Sequence, residues 1–411
     1  MLTNSQQSKR RTRDGHEPTI HRSPVSLAVR LLSACLLLPF TFFLLPCHAD
    51  GAWKRQPTRT LAWLHGVHFV DAEKGWAVGG GGVVLTTTDG GANWKAAPRP
   101  TEDALRDVYF ADAQTGWLVC DRDVHKLQTK DEPRSYLLKT NDGGSTWRRV
   151  EATGTDVDVR LVRLVFADRE HGWVFGEAGA LYATDDGGAT WQRRRVPTRH
   201  LLLGGAFLDA QMGWLVGAGA TILHTVDNGA TWREGRVEMP EAANVSGTSS
   251  LITNASSSAV AANNNTASAT SRSTAASADA PTFKASARLR AVSFVNARRG
   301  WAVGSGGRIL STADGGRSWH TQATPTGVDL FDVKFFDESE GWAAGDDGTM
   351  LHTTDGGAHW LVVSTGTTHP LERLFFVGRT RGWAVGFGGT IITLAPATAP
   401  NTTPPRLKTT G

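Results

Sequence analysis

Residues 69–94 read FVDAEKGWAVGGGGVVLTTTDGGANW, and this stretch contains two motifs that recur along the chain. In the first motif, a Gly-Trp pair follows a phenylalanine by seven residues and a leucine by twelve. It occurs seven times, with its tryptophan at positions 76, 117, 173, 214, 301, 342 and 383. The spacing is 41 residues except at two steps, which carry insertions of 15 and 46 residues. A fixed period of this length indicates a structural repeat.

The second motif, T-x-D-x-G-x-x-W, follows each of the first six Gly-Trp pairs. Its aspartates are Asp89, Asp142, Asp186, Asp227, Asp314 and Asp355. The tryptophan of this motif precedes the next Gly-Trp tryptophan by 23 residues wherever no insertion intervenes. Trp53 precedes Trp76 by the same 23 residues. Trp53 therefore takes the place of a seventh tryptophan of this kind.

The repeat predicts an all-β fold, a seven-bladed β-propeller of four-stranded antiparallel blades over residues 50–394. Four short strands separated by Gly- and Asp-rich turns in about 41 residues are typical of one propeller blade. The last unit, residues 371–394, lacks its fourth strand. We expect the N-terminal strand beginning at Trp53 to pair into that blade, which would replace a free sheet edge with a paired one.

The two ends of the chain differ from the repeat. Residues 1–49 combine basic residues with an apolar run from Leu31 to Leu45, and they end in Cys47-His48-Ala49. This pattern predicts a signal peptide cleaved after Ala49, with an uncleaved membrane-anchoring leader as the alternative. A Ser/Ala/Thr/Asn-rich insertion at about 237–283 predicts disorder, and residues 395–411 predict a flexible tail.

Composition excludes several classes of protein. The chain has 411 residues, 3 Cys and a formal net charge of +4. Residues 1–49 hold six Lys/Arg and two Asp/Glu, so the remainder carries 37 of each and is neutral. A neutral body argues against nucleic-acid binding, which needs a basic footprint. Three cysteines exclude a disulfide-stapled scaffold, and the lack of further long apolar runs excludes a multi-span membrane protein.

The combined motifs resemble known families. The six T-x-D-x-G-x-x-W segments resemble the Asp-box, or bacterial-neuraminidase, repeat. Together with the seven Gly-Trp motifs they look like the photosystem II stability and assembly factor family over residues 53–394. This resemblance implies an exported, non-enzymatic propeller that binds a protein, in the thylakoid lumen if the source is a phototroph and in the periplasm otherwise.

The Asp-box residues are predicted to be structural. An aspartate can fold back onto the N–H groups of its own loop, glycine supplies positive φ, and six-fold repetition suits a folding device. The chain shows none of the common hydrolase signatures, and the paired histidines His65 and His68 lack a third metal ligand nearby in sequence. We therefore expect no catalytic residues, cofactor or metal. A sialidase-like enzyme, which would need a Tyr–Glu pair and an arginine cluster, is the alternative.

The insertions point to a binding face. In a four-stranded meander, the loops between strands 2 and 3 and those between blades emerge opposite the Asp boxes, and all three insertions fall there. We call this side the insertion face. Repeat proteins often place binding loops on one face. Four arginines at the start of innermost strands also lie there, and they are Arg106, Arg163, Arg290 and Arg373.

Two interpretations of these arginines stay open. They could bind carboxylates of a partner as bidentate donors, or each could pair with a neighbouring acid such as Asp107, Asp332 or Glu372. The sequence thus favours a monomeric scaffold for a protein partner, such as a subunit of a membrane complex, and peripheral to the membrane at most. A glycan-binding propeller and an accessory protein of an envelope transport system are the alternative functions.

Overall fold

The computed structural model describes residues 53–127, 129, 132–150, 152–153, 159–238 and 287–394. The predicted leader, the predicted tail and residues 239–283 of the predicted low-complexity insertion lie outside this set. The described part of the chain contains no helix with the length and apolarity needed to cross a bilayer.

The described residues form seven antiparallel sheets, and each is a four-stranded meander, two of them with one added strand. The seven-bladed propeller predicted from the repeat is confirmed. The strands of blades 1 to 3 are β2 (Leu64–Phe69), β3 (Gly75–Gly79), β4 (Val84–Thr87) and β5 (Lys95–Ala96); β6 (Ala104–Phe110), β7 (Gly116–Asp121), β8 (Ser135–Thr140) and β9 (Arg148–Val150); and β10 (Ala152–Thr153), β11 (Leu161–Phe166), β12 (Gly172–Gly176), β13 (Leu181–Thr184) and β14 (Trp191–Arg193).

The remaining blades follow the same plan. Their strands are β15 (Leu202–Phe207), β16 (Gly213–Gly217), β17 (Ile222–Thr225) and β18 (Arg233–Glu234) in blade 4; β19 (Arg236–Glu238), β20 (Leu289–Phe294), β21 (Gly300–Gly304), β22 (Ile309–Thr312) and β23 (Ser318–Gln322) in blade 5; β24 (Leu330–Phe335), β25 (Gly341–Gly345), β26 (Met350–Thr353) and β27 (Leu361–Val362) in blade 6; and β28 (Leu371–Val377), β29 (Arg381–Gly386), β30 (Ile391–Leu394) and β1 (Trp53–Gln56) in blade 7.

The ring closes as the position of Trp53 predicts. Strand β1 pairs antiparallel with β30, with Trp53 opposite Leu394 and Gln56 opposite Ile391. The Gln56 side chain also donates a hydrogen bond of 2.7 Å to the Thr393 hydroxyl. The two ends of the described chain are therefore joined in one sheet, so that blade 7 has the same four strands as the others.

The repeated phenylalanine explains why the motif needs Gly-Trp. Each of the seven phenylalanine rings lies over the glycine of its own blade, where an added Cβ would sit 2.2–2.6 Å from the ring. In six interfaces the Gly-Trp indole of the preceding blade packs on that ring at centroid distances of 3.5–4.7 Å, and the seventh pair, Trp342 and Phe376, is 6.2 Å apart. The Asp-box tryptophan of the same blade, or Trp53 in blade 7, makes a T-shaped contact with the same phenylalanine ring, at centroid distances of 5.7–6.3 Å.

The core consequently lies between blades. Seven clusters of buried apolar side chains fill the seven interfaces, and each cluster combines residues of two neighbouring blades. Close packing of large aromatic rings gives these interfaces both apolar burial and preferred ring geometry. The repeated motif therefore encodes contacts between blades as well as the strands within them.

Short 3-10 turns connect strands 2 and 3 on the insertion face. They span Gly80–Gly82, Val124–Lys126, Glu177–Gly179, Ser305–Gly307, Asp346–Gly348 and Phe387–Gly389. Gly82 shows why most of them end in glycine, because its φ is +68° and an added Cβ would lie 1.7 Å from the carbonyl oxygen of Thr101. Left-handed backbone of this kind favours glycine.

Candidate functional site

The mouth of the central channel on the insertion face is built from the first residues of the seven innermost strands. In every blade the ladder between strands 1 and 2 skips one residue just after the repeated leucine. Such a bulge re-aims the side chain that it carries. The skipped residues are His65, Arg106, Val162, Leu203, Arg290, Phe331 and Glu372. We call these seven residues the mouth ring.

Two of the predicted arginines belong to the mouth ring and are partly exposed. Arg106 donates from Nε and Nη2 to Oδ2 of Asp121, at 2.9 and 2.7 Å, and its side chain remains 28% exposed. Arg290 lies over the Phe331 ring at 4.6 Å, and its Nη2 is 3.5 Å from Oδ2 of Asp329. Both guanidinium groups are thus held in place while part of each still faces solvent.

The other two arginines lie one residue deeper and reach across the channel. Nη2 of Arg163 in blade 3 is 3.1 Å from Oδ1 of Asp332 in blade 6, and Nη2 of Arg373 in blade 7 is 3.4 Å from Oδ1 of Asp107 in blade 2. All four groups are largely buried, with side-chain exposure of 8–15%. These two arginines are therefore buried struts between blades that are not neighbours in the ring.

The two aspartates of this central cluster also join neighbouring blades. Oδ2 of Asp107 accepts a hydrogen bond from the Leu164 N–H, and Oδ2 of Asp332 accepts one from the Leu374 N–H. Burial raises the pKa of both carboxyl groups above their usual value, against the opposing effect of the Arg163 guanidinium. The two arginines compensate the charge of the two acids, as largely buried charges require.

A second ion network lies beside the mouth ring and includes residues that the sequence analysis did not single out. Arg134, which follows the insertion of blade 2, places its Nε 3.5 Å from Oδ1 of Asp121 and its Nη1 3.1 Å from Oε2 of Glu177. Nε of Arg160 lies 3.2 Å from Oε1 of the same Glu177. The insertion thus links blades 2 and 3 at the insertion face.

Exposed aromatic side chains form a patch at blades 7 and 1 that the sequence analysis also missed. Trp63 and Phe387 are 43% and 47% exposed, and their rings meet edge-on at 5.4 Å. His65 packs near Trp63 and pairs with Glu372 at 3.1 Å. The sequence offers one indication that Trp63 differs from the core tryptophans, which is its position outside both repeated motifs. Large exposed aromatics beside charged groups are typical of protein-binding surfaces.

The Asp-box residues lie on the opposite face and are engaged within their own loops. In the second box, Oδ1 of Asp142 accepts from the Thr140 hydroxyl and the Thr146 N–H, and Oδ2 accepts from the Thr146 hydroxyl. These hydrogen bonds lower the pKa of Asp142 to about 2. The equivalent threonine-to-aspartate bond is present at Asp89, Asp186, Asp227, Asp314 and Asp355.

The boxes also hold the blades together. In four interfaces the Gly-Trp indole N–H donates to the carbonyl of the first box glycine in the next blade, at 2.8–3.3 Å; the donors are Trp76, Trp214, Trp301 and Trp383. Each of these boxes therefore has two structural tasks, one within its loop and one toward a neighbouring blade.

The other histidine of the predicted pair and the free cysteine are packed inside the propeller. His68 lies between the rings of Tyr109 and Phe375, each 4.8 Å away. Cys120 is a free, buried thiol whose pKa burial raises. Among the described residues, no group of three or more His, Cys, Asp or Glu side chains could hold a metal ion.

Comparison with known proteins defines the class of this propeller. The model of the family described as photosynthesis system II assembly factor YCF48 matches residues 93–199, 189–261, 271–374 and 321–394. These matches span well over half of the chain, so the chain belongs to this family. No curated protein sequence matches it significantly.

Solved structures show the same fold. A structure of YCF48 bound to a D1 peptide and one of YCF48 from Cyanidioschyzon merolae each have a TM-score of 0.60 and 19% identity; they cover 86% and 84% of this chain and 99% of their own. A GH74 xyloglucanase from Xanthomonas campestris has a TM-score of 0.56 and 14% identity, covering 85% of this chain and 55% of its own. At these identities the likeness is one of fold.

Proposed function

We propose that this protein is a non-enzymatic scaffold that binds a segment of a membrane-complex subunit at its insertion face and assists assembly of that complex. Membership of an assembly-factor family supports this function, as does a related propeller of known structure with a D1 peptide bound. The observation that carries the proposal is the mouth ring, where two partly exposed arginines are held in fixed positions on the same face as two exposed aromatic side chains.

The mouth arginines suit the recognition of a carboxylate or a backbone carbonyl. Arg106 uses Nε and Nη2 on Asp121, while its Nη1 makes no hydrogen bond to any residue that the structure describes. A guanidinium already fixed by one acid loses little side-chain entropy when it binds another acceptor. Trp63 and Phe387, on the same face, supply exposed apolar area for a side chain of the same partner.

The charged groups of the channel support a binding role over a catalytic one. Glycoside hydrolysis by the usual route needs a pair of carboxyl groups that reach a substrate, one of them with a raised pKa. Asp107 and Asp332, whose pKa values are raised, are 6% exposed and are held by backbone N–H groups and by arginines across the channel. They act as structural links between blades.

We further propose the domain organisation and location that the sequence suggests. Residues 1–49 are an export signal, residues 50–394 are the propeller, and residues 395–411 are a flexible tail. The insertion predicted at about 237–283 begins as strand β19, which includes Val237 and Glu238, and we propose disorder only for the part after this strand. The mature protein then works outside the cytoplasm, in the periplasm or in the thylakoid lumen of a phototroph. The mass of the N-terminal peptide of the protein purified from its source tests cleavage after Ala49, and an intact leader would contradict it.

A pull-down from envelope extract tests the binding role. The mature protein is compared with Arg106→Ala/Arg290→Ala, which changes the mouth ring, and with Arg379→Ala as a control. Arg379 also forms ion pairs, with Asp337 and Glu340, but it follows an innermost strand on the box face. Arg163 and Arg373 are left unchanged, because breaking their buried ion pairs would destabilise the propeller, and a loss of binding could then reflect unfolding.

The proposal predicts that the wild type and the Arg379 variant capture the same membrane-complex subunit, identified by mass spectrometry, and that the mouth-ring variant loses it. Capture by all three proteins would place the binding site elsewhere. Capture of no membrane-complex subunit by any of them would contradict the scaffold function itself.

A further inference from the structure

The outermost strands of two blades continue onto the edge of the next blade. After β9 the chain of blade 2 continues as β10, which pairs parallel with β14 of blade 3. After β18 the chain of blade 4 continues as β19, which pairs parallel with β23 of blade 5, with Val237 opposite Trp319. In the second case the Arg236 N–H donates to the carbonyl of Arg317 at 2.8 Å. Each such segment is a fifth strand.

The fifth strand fills a groove between blades and covers the Asp-box tryptophan. Trp191 and Trp319, beside the two fifth strands, are completely buried, whereas Trp94, Trp232 and Trp360 keep 5–8% of their surface exposed. Val237 packs against the apolar cluster that contains Trp319. The groove therefore accepts an extended segment with an apolar side chain opposite the tryptophan.

The equivalent groove between blades 7 and 1 is not filled by any residue that the structure describes. Pro57 is the counterpart of Arg236. Arg236 lies four residues after Trp232 of blade 4, and Pro57 lies four residues after Trp53 of blade 7. Proline has no N–H to donate to the neighbouring edge, so the bridging bond cannot form. Strand β1 ends at Gln56, and Thr58 instead donates from its hydroxyl to the carbonyl of Gly389 at 2.6 Å.

This position is an open groove of about 840 Å³. Val83, Leu85, Trp94 and Ala96 are among the residues that line it, and Pro57 lies at its border. The Ala97 N–H donates to the carbonyl of Val84, and Leu85 pairs opposite Ala96. Because antiparallel partners alternate between bonded and non-bonded pairs, the N–H and C=O groups of Trp94 and Ala96 point away from β4, toward the open edge.

The rim of the groove is basic. Arg59, Lys95 and Arg99 line it and are exposed, and none of them forms an ion pair with a residue that the structure describes. Among the described residues that line it, Asp89 is the one acid, and it accepts hydrogen bonds inside its own box. A positively charged groove favours a segment with acidic side chains. The C-terminal tail, residues 395–411, has no acid, two basic residues and four prolines, so it is a poor match.

We propose that the groove between blades 7 and 1 binds an extended, acidic peptide segment of a partner protein, which adds as a parallel fifth strand beside β5 with an apolar side chain against Trp94. The chain itself adds a parallel fifth strand twice, at blades 3 and 5. Strand addition of this kind draws affinity from main-chain hydrogen bonds and specificity from alternate side chains. The site lies on the outer rim and is separate from the mouth ring.

A labelled peptide derived from the segment that fills the groove at blade 5 tests this proposal. The probe is Gly-Glu-Val-Glu-Met, the sequence of residues 235–239 with Arg236→Glu, acetylated and amidated at its ends. A second, control probe carries an N-methyl group on the first glutamate. This group removes the N–H that corresponds to the Arg236 donor but keeps the charge of the peptide. Fluorescence anisotropy measures binding of both to the mature protein. We expect N-methylation to weaken binding about five- to tenfold, as expected for one lost main-chain hydrogen bond.

Protein variants locate the site. Lys95→Glu/Arg99→Glu should weaken binding about tenfold at low salt and less at high salt. The matched control is Arg148→Glu/Arg233→Glu, which makes the same charge change at two exposed residues of blades 2 and 4 that correspond to Lys95. Ala96→Pro should also weaken probe binding, because it removes one N–H that points toward the open edge and none that bonds to β4. Hydrogen exchange at Trp94 and Ala96 should slow when the probe binds.

Equal binding of the two probes would overturn strand addition, and this result does not depend on the folding of any variant. Equal weakening by the two charge variants would show that general electrostatics, not the groove, attract the peptide, and absence of binding would also overturn the proposal. Arg106→Ala/Arg290→Ala should leave probe binding unchanged, so the outcome is independent of the proposed mouth-ring function.

Discussion

At the scale of the residue, the Asp-box aspartates show how one side chain can organise a loop. Oδ1 of Asp314 accepts from the Thr312 hydroxyl and from the Arg317 and Ser318 N–H groups, and Oδ2 accepts from the Ser318 hydroxyl. The same aspartate therefore satisfies several donors that the tight turn would otherwise leave unpaired. Its role resembles that of an N-cap residue at the start of a helix.

Asp314→Ala removes all of these acceptors at once. We expect the free energy of unfolding to fall by about 1–2 kcal/mol, since several loop donors lose their partner but can partly turn to water. Urea denaturation followed by tryptophan fluorescence measures the change. Asp185→Ala, which alters an exposed acid paired with Arg194 in another box loop, should cost less than about 0.5 kcal/mol. Equal costs for the two variants would contradict the structural role of Asp314.

The boxes also predict the acid limit of stability. Hydrogen bonds within the loops hold the pKa values of Asp89 and Asp142 at about 2, below the usual 3.8. A carboxyl group whose pKa is lower in the folded state stabilises the fold at pH values above its unfolded pKa, and this contribution disappears as the pH falls through the folded pKa. The urea midpoint should therefore drop steeply between pH 4 and 2. A midpoint that stays constant over this range would contradict the assignment.

The glycine of the Gly-Trp motif is required because the phenylalanine of its own blade occupies the space of a side chain. Gly300→Ala would place a methyl group 2.5 Å from the Phe294 ring, which is also stacked on Trp214 at 3.5 Å. We expect a loss of about 2 kcal/mol from overpacking. Adding Phe294→Leu should reduce the cost of the alanine, because the two positions share one contact. Urea denaturation of both single variants and the double variant checks this, and strictly additive costs would show that the phenylalanine is not the constraint.

At the scale of the element, the closing strand can be tested by two tryptophans that lie outside the repeated motifs. Trp53 is 5% exposed and packs against Trp342 and Phe376, whereas Trp63 is 43% exposed on the insertion face. Trp53→Ala should lower the free energy of unfolding by about 3–5 kcal/mol, as expected for a buried tryptophan at the ring closure. Trp63→Ala should change it by less than about 1 kcal/mol. The opposite order would mean that β1 does not hold the ring.

Element by element, the sequence predicts what repeats and misses what does not. The Gly-Trp period gives seven blades, and the 23-residue spacing of Trp53 and Trp76 gives the closing strand. The fifth strands β10 and β19 are invisible in the sequence, because pairing of two or three residues leaves no periodic pattern and depends on where the preceding strand points. Pro57 becomes informative only after the filled grooves are known.

The channel contacts illustrate the same limit. Asp107, Arg163, Asp332 and Arg373 share one position in the repeat, so their convergence near the channel follows from the sequence. Which acid meets which arginine does not, because Arg163 reaches across from blade 3 to blade 6 instead of pairing with Asp107 of the neighbouring blade. Such pairings depend on the diameter of the channel and on side-chain rotamers that a one-dimensional pattern does not contain.

At the scale of the whole molecule, the propeller separates its tasks by position. The box face and the interfaces between blades repeat the same structural contacts, while the insertion face and the outer rim carry what is particular to single blades. The centre is closed by two ion pairs that join non-adjacent blades, 2 with 7 and 3 with 6. Titration of the groups around this centre should therefore affect the stability of the whole ring.

Two groups near the centre should respond to pH in opposite directions. Burial lowers the pKa of His68 to about 4, so the folded state favours the neutral ring and stability is lost as the pH falls from 6.5 toward 4. Burial raises the pKa of Asp107, so the folded carboxyl takes up its proton before the unfolded one does, and stability is gained as the pH falls toward 4. Between pH 6.5 and 4 these contributions oppose each other.

His68→Gln should separate the two contributions, because glutamine cannot be protonated in this range. Measured by urea denaturation, the stability of the variant relative to wild type should rise on going from pH 7 to pH 4.5 by roughly 2 kcal/mol, the linkage expected for a histidine that must stay neutral to fold. His125→Gln, at an exposed histidine of the blade 2 insertion, controls for the general effect of losing an imidazole. Asp107→Asn should show the opposite trend, a steeper loss of stability on acidification. Parallel pH profiles for His68→Gln and wild type would mean that His68 binds its proton as readily in the folded as in the unfolded protein, and that the centre of the ring is more open to water than its packing against Tyr109 and Phe375 implies.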